Sequence, residues 1–120
     1  MKLAVTATGK DLASSSDGRF GRCSYFVLID PETMDYEALE NPGKGARGGA
    51  GVQAAQALAN SGVDALATGN VGPNAFNTLD SAGIEMYTGA SGTVREVVEA
   101  YKDGKLSQSN GPTAAGGAGK

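Results

Sequence analysis

The sequence predicts an α/β fold: a mixed five-stranded sheet with one antiparallel hairpin and helices on both faces. Three observations carry this. Short apolar runs at 2–7, 23–30, 63–68 and 84–88 read as strands, the second of them rich in aromatic and β-branched residues. The later runs alternate with segments of helical spacing that stop at Gly62, Gly83 and Gly104. The resulting order, β–β–β–α–β–α–β–α, is satisfied by a hairpin followed by right-handed crossovers, which place helices on the sheet faces.

Each element has its own signal. KLAVTA, residues 2–7, is an apolar-rich strand closed by Gly9, and the polar stretch 8–22 after it has no periodicity and reads as a loop. CSYFVLID, residues 23–30, stops at Asp30-Pro31, a turn pair that disfavours further extension. The chain returns through DYEALEN, 35–41, as a weaker strand whose acidic residues suit a sheet edge. The cluster GKGARGGAG then leads into a helix in which Val52, Ala55, Leu58 and Ala59 recur at helical spacing. VDALAT is a short strand, Pro73 is placed as the first residue of the next helix, and IEMYT at 84–88 is the fifth strand. Thr93 and Glu96 have capping-box spacing at the start of the last helix. Residues 1–106 form one domain, and 107–120 read as a flexible glycine-rich tail.

Composition excludes several kinds of chemistry. The formal net charge of −3 supplies no basic field for nucleic acid or an anionic membrane. No run approaches membrane-spanning length, and the start MKLAVTATGKD lacks a signal-peptide core, so a cytoplasmic protein is expected. With no histidine and one cysteine, the usual zinc and iron ligand sets and the Ser–His and Cys–His catalytic pairs are absent. A soft metal would have to bring its own ligands, and a non-catalytic role is expected. GKGARG at 43–48 matches the dinucleotide pattern in form only, since the strand-to-helix turn and the acidic residue at its usual spacing are missing.

If the second strand opposes the others, the loops 8–22, 42–51, 69–73 and 88–92 all emerge on one sheet edge, where open α/β sheets bind ligands. All four are glycine-rich and three lead into helix N-termini, a setting for an anion. Arg19, Arg22, Lys44 and Arg47 lie in these loops although the chain is acidic overall. The candidate site is therefore Arg19, Arg22, Lys44 and Arg47 as cations, with Gly72, Asn74, Ser91 and Gly92 as donors. Phe20 either walls the site or anchors its loop. Cys23 opens a strong strand, where a thiol serves as a small buried hydrophobe; it is also the one candidate metal ligand through sulfur.

The segments FGRCSYFVLID, ENPG, GGAGVQAAQALANSGVDAL, GPNAF and AGIEMYTGASGTV, in that order, resemble the dinitrogenase iron-molybdenum cofactor biosynthesis family. The resemblance implies a ribonuclease H-like three-layer fold. Nuclease activity is not implied, since the first strand reads Leu3-Ala4-Val5-Thr6 without the carboxylate that nucleases of that fold require. Where many members carry a histidine just before Phe-Gly-Arg, this chain has Arg19. That departure is similar to a small member that holds a molybdenum–copper sulfide cluster without protein–metal bonds, and it implies a carrier or assembly protein for such a cluster. The resemblance leaves one alternative: an adaptor in metal-cluster biosynthesis or cell-division regulation, with P-loop ATPases of iron–sulfur assembly or septum placement as partners.

Overall fold

The computed structural model describes residues 1–113. The elements are β1 (Leu3–Ala7), β2 (Tyr25–Ile29), β3 (Tyr36–Glu40), α1 (Ala50–Asn60), β4 (Ala65–Ala67), α2 (Pro73–Ser81), β5 (Glu85–Thr88), α3 (Val94–Lys102) and β6 (Ser107–Gln108). The first eight follow the predicted order. The sheet runs β3-β2-β1-β4-β5-β6. β2 opposes both β1 and β3, whereas β1, β4 and β5 are mutually parallel.

The prediction of five strands is corrected to six. β6 pairs antiparallel with β5 through Tyr87↔Gln108 and Thr88↔Ser107. Both of its residues are exposed, so nothing in their hydropathy announces a strand; only the ladder to β5 makes one. The chain then turns back to the loop before α2, where Thr113 N–H donates to Val71 O and the Thr113 hydroxyl accepts from Val71 N–H, both at 2.8 Å. The rest of the segment read as a tail, 114–120, lies outside the described residues.

Three layers result. α1 and α2 cover one face of the sheet, packing Ala54, Ala55, Leu58 and Leu79 against Ala4, Phe26, Leu28 and Leu66. α3 covers the other face, with Val94, Val97 and Val98 against Leu3, Val5, Val27 and Ile29. β1 is buried along its whole length because it is central and covered on both sides, which is why its sequence reads as an apolar run rather than an alternation. The stripe predicted on α1 is shifted. Ala54, Ala55 and Leu58 face the core, Ala59 is exposed, and Val52 is only partly covered. No helix among the described residues is long and apolar enough to cross a membrane.

The predicted capping box on α3 is present: Glu96 N–H donates to the Thr93 hydroxyl at 3.2 Å and Thr93 N–H donates to Glu96 Oε1 at 2.9 Å. Thr93→Ala removes one acceptor from this helix start. The expected cost is about 1 kcal/mol, or roughly 4–8 °C in Tm by calorimetry.

Candidate anion-binding cleft

The antiparallel course of β2 places the ends of β1, β3, β4 and β5 on one edge, so the four loops do emerge together. The long loop after β1 is not loose. Asp17 N–H donates to Thr6 O, the Thr6 hydroxyl donates to Asp17 O, and the Thr68 hydroxyl lies 2.9 Å from it. Asn70 N–H then donates to Gly18 O at 3.1 Å, tying the loop after β1 to the loop after β4. The two backbones approach so closely that a Cβ on Gly69 would stand 2.6 Å from Gly18 Cα.

On the α1/α2 side of this edge lies a cleft of about 750 Å³. Three segments form its walls: 18–22, 48–52 and 70–75. Both helix N-termini open onto it. α1 begins after Gly49, which has φ 69°, a conformation suited to glycine, and α2 begins after Gly72 with Pro73 in its first turn. Neither start has a side-chain cap or an acidic residue in its first turn, in contrast to α3. Their first-turn amides, on Ala50, Gly51, Val52, Asn74 and Ala75, are thus without the side-chain acceptors that usually satisfy them. Each N-terminus adds roughly half a positive charge. The small residues matter to this shape: a Cβ on Gly21 would stand 2.9 Å from Gly51 N, and one on Gly51 would stand 3.1 Å from Ala75 Cβ.

The two arginines of the cleft differ. Arg19 makes a bidentate pair with Asp17, Nε to Oδ1 and Nη2 to Oδ2, each at 3.1 Å, while its backbone N–H donates to Oδ1 at 2.9 Å. Burial pushes the Asp17 carboxyl up, but the donations and charge of Arg19 outweigh this and hold it below the ordinary aspartate value. Arg19 is 71% exposed, yet its charge is largely matched. Arg22 Nη1 donates instead to neutral carbonyls, Ala46 O at 2.7 Å and Lys44 O at 3.4 Å. Among the described residues it has no carboxylate partner, and none of those lining the cleft is acidic.

Of the candidates from sequence, Arg19, Phe20, Arg22, Gly72 and Asn74 line this cleft together. Phe20 does both things considered for it: its ring is buried against Phe26, with centroids 5.5 Å apart, at the cleft floor. Lys44 and Arg47 are exposed on the adjoining loop and do not line it; Lys44 contributes only its carbonyl, to Arg22. Ser91 and Gly92 lie apart because their loop leads into α3, on the opposite face of the sheet. There the Gly92 carbonyl accepts from Ser16 N–H at 2.8 Å. Cys23 is wholly buried in the core, its thiol donating to Phe20 O at 3.3 Å, and burial followed by the Asp17 charge pushes its pKa up to about 12. Burial thus closes the thiol off from solvent and disfavours its thiolate form.

Sequence reasoning missed Asp17 and Asn41. Asn41 is buried, and its amide donates to Gly21 O and Cys23 O while Oδ1 accepts from Gly43 N–H at 2.8 Å, which joins the Phe-Gly-Arg loop to the loop before α1. The signal was present in Asn41-Pro42-Gly43, where an asparagine can bond the backbone two residues on.

A family model described as "Dinitrogenase iron-molybdenum cofactor" matches residues 1–104. Among solved structures, the apo form of the orange protein from Desulfovibrio gigas is 43% identical, with a TM-score of 0.90 over 94% of this chain and 96% of that one. A Thermotoga protein of the DUF35 family, solved by NMR, is 38% identical, with a TM-score of 0.77 over 89% of this chain and 91% of that one. An uncharacterized protein of Methanocaldococcus jannaschii is 29% identical over 109 residues, covering 88% of this chain and 89% of the other.

Proposed function

Since the chain belongs to the dinitrogenase iron-molybdenum cofactor family, we propose that it carries or helps to assemble an anionic metal–sulfide cluster, specifically a molybdenum–copper sulfide cluster, held without covalent bonds. The role is non-catalytic. The observation that carries the reading is the pair of uncapped helix N-termini opening on one acid-free cleft beside Arg22.

The donor set suits such a cargo. Among the described residues there is no group of three His, Cys, Asp or Glu side chains that could hold a metal ion. A cluster whose metals are already satisfied by sulfide needs only charge neutralisation and hydrogen-bond donors, and these are what the cleft supplies. A guanidinium is planar, weakly hydrated and always charged, which suits a diffuse sulfide-bridged anion. The amides of α1 and α2 point at the same volume, and the cleft is of ordinary ligand-pocket size. The lining residues offer no general base or activated nucleophile, in keeping with a carrier.

The test is to add tetrathiomolybdate and a copper(I) salt to the protein, remove excess by gel filtration, and measure visible charge-transfer absorption with molybdenum and copper content. Retained colour with a fixed metal ratio is expected. Colourless protein with no retained molybdenum counts against the proposal. Cys23→Ser preserves a donor to Phe20 O and an acceptor for Asn41, so unchanged cluster yield is expected; loss of colour with the fold intact would point to a copper–thiolate bond instead.

A further inference from the structure

β3 is the outer strand of the sheet, and among the described residues one of its sides is unpaired. Its ladder to β2 uses the odd-numbered residues: Asp30 N–H donates to Asp35 O at 3.0 Å, and Asn41 N–H donates to Ser24 O at 3.1 Å. Antiparallel alternation then turns the amides and carbonyls of Tyr36, Ala38 and Glu40 outward. All three residues are exposed, Tyr36 by 44%. An open edge of this kind is usually blunted by proline, by a bulge or by charged side chains, lysine above all. Here the register is continuous from Tyr36 to Glu40, and the strand contains neither proline nor lysine.

The edge carries charge of one sign: Asp35, Glu37 and Glu40, with no cation between them. At its start the strand adjoins a cavity of about 550 Å³, whose lining includes Asp30, Asp35, Glu37 and Asp64. These four carboxylates outnumber the two cations there, Lys2 and the Met1 terminal amine; Lys2 N–H donates to Asp64 and its Nζ to Ser61 O. We propose that the free edge of β3 takes an extended basic segment of a partner protein as an added strand. Main-chain bonds to Tyr36, Ala38 and Glu40 would give the pairing, and the flanking carboxylates would select a basic sequence. A second copy of this chain fits poorly, because it would bring the same carboxylates against these and add no cation. The surface lies outside the cleft, so its occupation leaves the arginines and helix N-termini accessible.

The test titrates an alternating lysine–threonine peptide into the isotopically labelled full-length chain, with an alternating glutamate–threonine peptide of the same length beside it. Amide shifts confined to 35–41 are expected, with slowed exchange at Tyr36, Ala38 and Glu40 and binding that weakens with added salt. Ala38→Pro removes an outward donor without breaking the ladder to β2, and is expected to abolish the slowed exchange. Glu37→Lys/Glu40→Lys is expected to weaken binding by about tenfold or more. Equal binding of the acidic peptide, shifts at the cleft amides instead of β3, or unchanged affinity in the charge-reversed variant would overturn the proposal. So would self-association of the chain that Ala38→Pro abolishes, since a second copy would then be the occupant.

Discussion

Arg22→Ala is expected to weaken retention of the molybdenum–copper sulfide cluster by about 10- to 100-fold, the loss of one charge-assisted contact to an anion. Removing Arg19 together with its partner, as Arg19→Ala/Asp17→Asn, is expected to do less, although both arginines line the cleft. The difference follows from their partners. Arg19 is matched by the Asp17 carboxylate through two side-chain bonds, so removing the pair together leaves the net charge unchanged, whereas Arg19→Ala alone would leave that carboxylate without its counterion. Among the described residues Arg22 is bonded to the carbonyls of Ala46 and Lys44 and has no counterion. Arg22→Lys keeps the charge but loses the planar fork, so it should recover only part of the affinity. The check is molybdenum retained after gel filtration across a range of protein and salt concentrations, read with the melting temperature. Equal losses in the Arg19/Asp17 pair variant and the Arg22 variant would contradict this assignment of charge.

Gly69→Val is expected to cost about 1–3 kcal/mol of stability, a fall in Tm on the order of 10 °C, and to lower cluster retention as well. The added Cβ would stand 2.6 Å from Gly18 Cα and 2.8 Å from Gly18 O, and both are backbone atoms with no flexible end to move aside. Relief requires the loops after β1 and β4 to separate, which breaks the bond from Asn70 N–H to Gly18 O and shifts Arg19 beside it. Gly45→Ala is the matching control. Its added Cβ meets nothing within 4 Å and its φ is not positive, so it should be close to neutral. Denaturation curves of the two variants check the contrast, and equal stability would remove the close approach as a design element of the site.

The sequence made most of the fold legible because its main elements carry hydrophobic patterns and turn chemistry that agree. β2 is bounded by Asp30-Pro31, α2 by Pro73 and Gly83, and α3 by the Thr93–Glu96 box. β6 lacked any such mark, since two exposed polar residues become a strand only when β5 is beside them. The site was legible in part for a related reason. The gathering of the loops on one edge follows from strand direction, which the hairpin fixes. The face to which each crossover helix goes does not, and it is this that separates Ser91 and Gly92 from Arg22. Pairings between side chains were equally hidden: nothing in Asp17-Gly18-Arg19 says that the carboxylate is buried and neutralises the arginine, or that the Asn41 amide reaches Gly21 and Cys23.

The most direct measurement of the central claim is an amide map of the protein with its cluster bound. Molybdenum(VI) and copper(I) are closed-shell ions, so spectra of the loaded protein remain sharp and can be compared with those of the free chain. The largest shifts are expected at Ala50, Gly51, Val52, Asn74 and Ala75, the first-turn amides of α1 and α2, together with the Arg22 side chain. Shifts centred on Cys23, or on Ser91 and Gly92 at the start of α3 with the cleft unchanged, would contradict it.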